Sequence, residues 1–227
     1  MFKLETHCHT SEVSGCSRLP AVQLVTQLKR SGYGGAVITD HFHHGYFDSL
    51  TGSWTQKIDC FLSGYRAACE AGAQAGLHIY CGLEFRTTTS DNDYLLFGAA
   101  PELLYSTPEL HRYTIPQLRA LADREGLLLV QAHPFRTGLT REDPALLEVF
   151  NGNARHDSHN DDALRFAREN GLLFFSGSDH HETEDRGRGG MVLPREPKDE
   201  AGLVRLLPSA GLLPDILLEF FPVKPEK

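Results

Sequence analysis

The sequence predicts an α/β fold in which a parallel sheet, covered by helices, closes or nearly closes into a barrel. Short apolar runs alternate with helical segments along the chain, which indicates repeated strand–helix units. The strand runs are almost continuously apolar, as expected for strands buried on both faces. About seven units favour a barrel over the runner-up, a doubly wound open sheet. The 227 residues suit one domain, residues 1–227.

The strands are predicted from short runs rich in valine, isoleucine, leucine and phenylalanine, bounded by glycine, proline or polar residues. In chain order they are residues 2–6, 35–39, 77–85, 93–99, 127–130, 146–150, 172–175 and 191–193.

The helices are predicted where apolar residues recur at helical spacing. Val22, Val25 and Leu28 share one face of the first helix. Pro116 stands at an early helical position, where proline is tolerated, and Gly171 follows a later helix. The helices are residues 20–30, 58–75, 115–124, 161–169 and 200–207, and the tail 222–227 is expected to fray.

Charge and cysteine content narrow the functional classes. The formal net charge is −8 without a long basic run, so nucleic acid is not the favoured partner. An anionic substrate would need local positive charge, which metal ions can supply. Five cysteines without a CxxC pair indicate reduced thiols and a cytoplasmic location. We expect no membrane association, since no run resembles a signal peptide or a membrane span.

The most informative residues are histidines and carboxylates that follow the predicted strands. Barrel active sites are assembled at the carboxyl ends of the strands. The residues there are His7, His9, Asp40, His41, Glu84, His133, Asp179, His180 and His181. Side chains two apart in an extended segment point the same way, so His7 and His9 can bind one ion. Asp179 and His181 share that spacing.

The residue types at these ends favour a transition-metal cluster. Imidazole with carboxylate suits zinc, manganese or iron better than calcium. A carboxylate such as Glu84 can bridge two ions, and closely spaced ions stabilise phosphoryl charge and generate hydroxide near neutral pH. Taken singly, Asp40 also fits a helix cap and Asp179 a turn. A metal cluster explains much better than separate structural roles why all of these histidines and carboxylates occur at strand ends.

Five ordered motifs resemble those of the PHP (polymerase and histidinol phosphatase) superfamily. They are His7-Cys8-His9, Thr39-Asp40-His41, Gly82-Leu83-Glu84, Ala132-His133-Pro134 and Gly177-Ser178-Asp179-His180-His181, and Glu148-Val149-Phe150-Asn151-Gly152 resembles a further family segment. The resemblance covers residues 7–181. It implies one PHP-like catalytic domain, a distorted TIM-like (βα)7 barrel, holding two to three divalent transition-metal ions.

The resemblance also implies a role for each strand-end residue. His7, His9, Glu84 and Asp179 would hold one ion, and catalysis would use the hydroxide bound to it. Glu84 and His133 would hold a second ion, and His41 and His181 a third. Asp40 would support these ligands rather than bind metal.

The chain departs from the family pattern at two places. Many relatives have a His or Asp several residues after HxH, where this chain reads Ser-Gly-Cys at 14–16. Either the third ion lacks a ligand, or Glu12 or Cys16 replaces it. Relatives often also have a His between the Glu and the AHP motif. Asp93, which leads into an apolar run, is preferred there over His111, which is expected to be a solvated loop residue.

Together these observations predict a metal-dependent phosphoesterase that hydrolyses a small phosphomonoester or a short phosphodiester. A DNA or RNA exonuclease and a non-catalytic metal-binding regulatory module remain as alternatives. Four arginines are candidates for binding a substrate phosphate or carboxylate, and each also fits a solvated surface position. They are Arg18, Arg136, Arg186 and Arg188.

Overall fold

The computed structural model describes residues 1–139 and 146–211. The strands in these ranges are β1 (Phe2–Cys8), β2 (Gly35–Ile38), β3 (His41–His43), β4 (His78–Arg86), β5 (Asp93–Phe97), β6 (Leu128–Gln131), β7 (Leu146–Asn151), β8 (Leu173–Gly177) and β9 (Met191–Leu193). The α-helices are α1 (Ala21–Arg30), α2 (His44–Ser49), α3 (Trp54–Phe61), α4 (Ser63–Ala75), α5 (Pro101–Ser106), α6 (Ile115–Glu125), α7 (Pro134–Thr137), α8 (Asn160–Asn170) and α9 (Glu200–Gly211).

The strands form a nearly closed, barrel-shaped sheet. Their order is β8-β7-β6-β5-β4-β2-β1-β9, and β2 and β3 pair with successive halves of β4. At the closing seam, the His9 N–H donates to the His180 carbonyl at 3.0 Å, and the His180 N–H donates to the His7 carbonyl at 3.1 Å. These bonds join β1 to the chain that follows β8. The predicted α/β barrel is confirmed.

The prediction of a parallel sheet was wrong for two strands. β5 runs antiparallel to both β4 and β6, and β9 runs antiparallel to β1. Residues 87–92 are the whole connection between β4 and β5. A connection this short cannot hold the crossover of about a dozen residues that parallel strands need, so the two strands form a hairpin.

The helix predicted over 58–75 is two helices, α3 and α4, separated at Leu62. Near the start of α4, Gly64 lies so close to Thr10 and Asp40 that a Cβ would overlap the Thr10 hydroxyl. This contact with the loop after β1 is long-range, and local periodicity does not reveal it. Four short elements, β3, α2, α5 and α7, lie in segments that were not predicted as helix or strand. The predicted tail 222–227 lies outside the described residues.

Helices α4, α6 and α8 end at glycines, as the sequence predicted for Gly171. Gly76 follows α4 with φ of 67°, Gly126 follows α6 with φ of 68°, and Gly171 follows α8 with φ of 64°. This left-handed conformation costs glycine less than other residues, which is why glycine commonly follows a helix. None of the helices in the described ranges has the length and apolar character needed to cross a membrane.

Strand β2 shows how both faces of the sheet are covered. Val37 packs in one apolar cluster with residues of the other barrel strands. Its neighbours Ala36 and Ile38 pack in a different cluster with α1 and α4. Because both faces are buried, the strand is apolar throughout, as the sequence indicated. The polar residues that follow such strands are therefore held by a rigid sheet.

Candidate metal centre

Seven of the predicted ligands converge at the carboxyl ends of barrel strands. They are His7 and His9 at the end of β1, His41 at the start of β3, Glu84 in β4, His133 after β6, and Asp179 and His181 after β8. Six of them are buried, and the side chain of His41 is 25% exposed. The cluster therefore has one side open to solvent.

Glu84 lies at the middle of the cluster. Its Oε1 is 3.3 Å from His7 Nε2 and 3.1 Å from His133 Nε2. Its Oε2 is 3.4 Å from His9 Nε2 and 2.7 Å from His41 Nδ1. Because each oxygen faces a different pair of imidazoles, Glu84 has the geometry of a bridging ligand.

Asp179, which follows β8, contacts three histidines of the cluster. Its Oδ1 is 3.6 Å from His7 Nε2, 3.5 Å from His9 Nε2 and 3.2 Å from His181 Nδ1. Its Oδ2 accepts a hydrogen bond from Arg136 at 3.1 Å. One oxygen thus faces histidines, and the other is held by a guanidinium.

The donor atoms fit divalent metal ions. Three triads have ligand atoms within 4.8 Å of one another: His7, Glu84 and His133; His7, His9 and Asp179; and His9, His41 and His181. The buried Nε2 atoms of His7 and His9 have no hydrogen-bond partner. Burying such atoms unpaired is costly, and coordination to a cation would remove that cost. Imidazole and carboxylate donors suit zinc, manganese or iron.

The electrostatics favour the metal-binding form of two candidate ligands, Glu84 and His9. Burial alone would raise the pKa of Glu84, but His7 and His41 hold it well below its usual value. Burial would lower the pKa of His7, but Glu148 and the cluster carboxylates raise it well above its usual value. For His9, burial and the neighbouring imidazoles both lower the pKa. Glu84 is therefore ionised and His9 neutral, the states in which they bind metals.

Two ligands have a backbone conformation that is uncommon outside glycine. The φ angle is 30° at His133 and 50° at Asp179. Such conformations cost on the order of 1–3 kcal/mol and cluster at functional sites. The His133 N–H donates to Glu148 Oε2 at 2.9 Å, and Asn153 Nδ2 donates to the Asp179 carbonyl at 3.1 Å. These bonds hold both ligands in place against the strain.

Glu148 contacts two candidate ligands, His7 and His133, although the sequence analysis gave it no individual role. Its Oε1 is 2.9 Å from His7 Nδ1. Its Oε2 accepts from the His133 N–H at 2.9 Å and from Asn151 Nδ2 at 3.0 Å. A carboxylate inside the otherwise apolar run of β7 is the signal that could have identified it, since charged residues are rarely buried without a partner.

Replacing Glu148 with glutamine is expected to weaken metal binding by about 10–100-fold, the usual cost of losing a partner that orients a ligand. The variant keeps the shape of the side chain but removes the negative charge beside His7. Competition with a chromogenic chelator would measure the affinity. The matched control is Glu125→Gln at the end of α6, where the carboxylate pairs only with Arg124 among the contacts described. Equal affinities in the two variants would contradict the positioning role.

Asp40 holds the loop that follows β1. Its carboxylate accepts three hydrogen bonds of 2.7 Å, from the Thr10 N–H, the Thr10 hydroxyl and the Ser14 hydroxyl. Asp40 is not a member of the three metal-binding triads. Its observed contacts hold Thr10 and Ser14 of this loop in place.

Glu12 and Cys16, the two candidates for the missing ligand of the third ion, have different surroundings. Both oxygens of Glu12 lie within 3.1 Å of the Ala21 N–H, at the start of α1. Cys16 Sγ lies 3.2 Å from His41 Nε2. Partial burial opposes ionisation of this thiol, but hydrogen bonds with His181 and His41 lower the pKa of Cys16 to about 6.

Asp93 lies beside the cluster rather than in one of its triads. Its Oδ2 is 3.8 Å from His133 Nε2. Arg86 binds both carboxylate oxygens, at 2.7 and 2.5 Å. Binding a metal would require Asp93 to share its charge between the ion and this guanidinium.

The expectation that His111 is a solvated loop residue was wrong. It is 1% exposed, and its ring stacks on Phe47 and Trp54 with centroid distances of 4.9 and 5.5 Å. These aromatic residues belong to α2 and α3, which the sequence did not connect with residue 111. The structure places His111 in this apolar packing, outside the metal-binding triads.

Of the four candidate arginines, Arg136 contacts the cluster. Its guanidinium donates to Asp179 Oδ2 at 3.1 Å, to Asn151 Oδ1 at 3.0 Å and to Ser158 Oγ at 2.7 Å. Its side chain is 18% exposed. Arg136 therefore supplies a fixed positive charge next to Asp179, a candidate metal ligand.

The other three arginines are exposed. Arg18 pairs with Glu182 at 3.2 Å, and Arg188 donates to the Gly152 carbonyl at 2.7 Å. Arg186 follows the short turn Thr183–Asp185. Their predicted role in substrate binding stays a prediction.

Comparison with known proteins finds a family match for one segment of the chain and solved structures with a similar fold. Residues 157–209, which include Asp179 and His181, match a family described as PHP-associated. No curated protein matches the sequence. A two-domain protein from Bacteroides vulgatus, containing a predicted PHP-like metal-dependent phosphoesterase, has a similar structure, with a TM-score of 0.57 and 16% identity. The match covers 81% of this chain and 53% of that protein, so this chain spans about half of its length.

Two further solved structures match along most of their length. An amidohydrolase from Chromobacterium violaceum, with bound sulfate and no metal, has a TM-score of 0.54 and 14% identity, and the match covers 84% of this chain and 92% of that one. A protein from Bifidobacterium adolescentis assigned as a metal-dependent phosphoesterase has a TM-score of 0.53 and 16% identity, with coverages of 98% and 97%. At these identities the similarity demonstrates a shared fold.

Proposed function

We propose that this chain is a PHP-domain protein that hydrolyses phosphate esters with the help of two to three divalent transition-metal ions. Its PHP-associated segment and the fold that it shares with PHP-like proteins support this proposal. The observation that carries the proposal is the position of Glu84, whose two oxygens face different pairs of histidines. A shared carboxylate of this kind suits closely spaced ions, which act well on phosphoryl groups. A small phosphomonoester or a short phosphodiester is the proposed substrate.

The protein's own residues would divide the ions among three positions. His7, His9, Glu84 and Asp179 would hold one ion, and these are the proposed catalytic residues. Glu84 and His133 would hold a second ion, with Asp93 as a further candidate, and His41 and His181 a third. When bound, ions of this kind activate water and neutralise phosphoryl charge. Zinc, manganese and iron are the proposed metals.

Positive charge for an anionic substrate would come from the ions and from Arg136. The chain as a whole has a formal net charge of −8, which repels anions at long range. Arg136 is already oriented by Asn151 and Ser158 and lies at hydrogen-bonding distance from Asp179. We propose that it stabilises charge near the reacting phosphate, with Arg18, Arg186 and Arg188 as additional candidates for binding the rest of the substrate. The reduced cysteines predicted from the sequence favour a cytoplasmic setting.

A substrate panel on metal-reconstituted protein tests the proposal. The panel contains an aryl phosphate monoester, an aryl phosphodiester, single-stranded DNA and an amide. We expect metal-dependent hydrolysis of at least one of the two small phosphate esters. Cleavage of DNA alone would favour the exonuclease alternative, and cleavage of the amide alone would favour amide hydrolysis. If the metal-loaded protein hydrolysed none of these substrates, the result would favour the alternative of a non-catalytic, metal-binding regulatory module.

A further inference from the structure

The thiol of Cys16 lies where a ligand of the third ion would be. Cys16 Sγ is 3.2 Å from His41 Nε2. In a tetrahedral zinc site, nitrogen ligands at about 2.0 Å and sulfur ligands at about 2.3 Å lie roughly 3.5 Å apart. The observed separation needs only a small adjustment to reach that value.

The imidazoles of His9, His41 and His181 indicate a cation site independently of the thiol. The ring centroid of His9 is 4.4 Å from that of His41 and 4.1 Å from that of His181. The ligand atoms of these three residues lie within 4.8 Å of one another. His9 Nε2 is buried and has no hydrogen-bond partner. The thiol is therefore a neighbour of an incomplete donor set rather than an isolated cysteine.

The loop that carries Cys16 is fixed on both sides of it. The Ser14 hydroxyl accepts from the His41 N–H at 3.0 Å. The Ser17 hydroxyl donates to the His181 carbonyl at 3.2 Å. Both bonds tie the loop to the residues that would share the ion, so the direction of the Cys16 side chain follows from the fold.

We propose that Cys16 binds the third ion as a thiolate together with His41 and His181, and that this makes the third position selective for zinc over manganese. On binding, the S–H proton is released to solvent and a sulfur lone pair is donated to the ion, with no change of oxidation state. Thiolate is a soft ligand that favours zinc, whereas manganese prefers carboxylate and water oxygens. The proposal rests on the metal centre of the proposed function and not on its substrate.

Cobalt(II) can replace zinc and reports directly on sulfur ligation. We would titrate cobalt into chelator-treated protein and record the near-ultraviolet sulfur-to-cobalt charge-transfer band. Wild-type protein and the control Cys60→Ser, which changes another exposed cysteine, should both develop the band. Cys16→Ser should lack it and should bind the third zinc ion at least about tenfold more weakly. Cys16→His should restore zinc affinity without restoring the band, because it supplies a nitrogen donor.

Each outcome separates this proposal from the proposed function. Cobalt uptake by wild-type protein without the band, or a band that persists in Cys16→Ser and Cys16→His, would overturn ligation by Cys16 while leaving hydrolysis untouched. Slower alkylation of Cys16 by iodoacetamide in zinc-loaded than in metal-free protein, read by peptide mass spectrometry, is expected without any variant. Equal alkylation rates would overturn the proposal. Phosphoesterase activity could be absent while the band is present, which would contradict only the function.

Discussion

Treatment with a strong chelator is expected to abolish hydrolysis, and manganese, zinc or iron is expected to restore it. The physical reason is the density of donors in the cluster. Seven candidate ligands lie close together, and the Nε2 atoms of His7 and His9 are buried with no hydrogen-bond partner. Without cations, these groups lose the interaction that would offset their burial.

Metal removal should also lower the thermal midpoint of unfolding. An ion present at 100 times its Kd stabilises a folded protein by about 2.7 kcal/mol. Activity, elemental analysis and thermal unfolding before and after chelation would measure both effects. The same chelator presaturated with zinc is the control, since it can remove little metal. Full activity with less than about half an equivalent of metal per chain would exclude a metal-dependent mechanism.

Replacing Glu84 with glutamine is expected to lower kcat by about a hundredfold or more and to remove at least one ion per chain. Glutamine has nearly the shape of glutamate but offers one carbonyl oxygen and no charge. It therefore cannot face His7 and His133 with one anionic oxygen and His9 and His41 with the other.

Elemental analysis and steady-state kinetics on the same preparation would test this expectation. Glu70→Gln, which changes an exposed glutamate on α4, is the matched control. Circular dichroism would establish that both variants keep the fold. If Glu84→Gln kept the metal content and turnover of the control, the bridging assignment would be wrong.

The sequence alone was enough to predict the barrel and most of the candidate site. Apolar runs identified the strands because a strand buried on both faces needs apolar residues at nearly every position. The polar residues that follow these runs were then informative, because parallel neighbours bring their carboxyl ends together. His7, Glu84, His133 and Asp179 lie close together in the structure for this reason.

Contacts between distant segments could not be predicted in the same way. The antiparallel β5 is an exception, because the predicted strands 77–85 and 93–99 already leave only residues 86–92 between them, too few for a parallel crossover. Glu148 became meaningful only when the barrel brought its side chain to His7 of β1 and to His133 after β6, because these partners are 141 and 15 residues away along the chain. His111 is buried by aromatic residues of α2 and α3, which local periodicity did not link to it.

The loop after β1 shows most clearly what the sequence determines and what the tertiary structure decides. Its sequence offered Glu12 and Cys16 as equal candidates for the missing ligand, since both are potential donors near residue 15. The Ser14 and Ser17 hydroxyls tie the loop to the backbone of His41 and His181. In this arrangement Cys16 lies beside His41, and Glu12 lies at the start of α1. The sequence by itself determined which donor types were present and at which strand ends. Only the tertiary structure decided which donors meet, because loop direction depends on bonds to residues far along the chain.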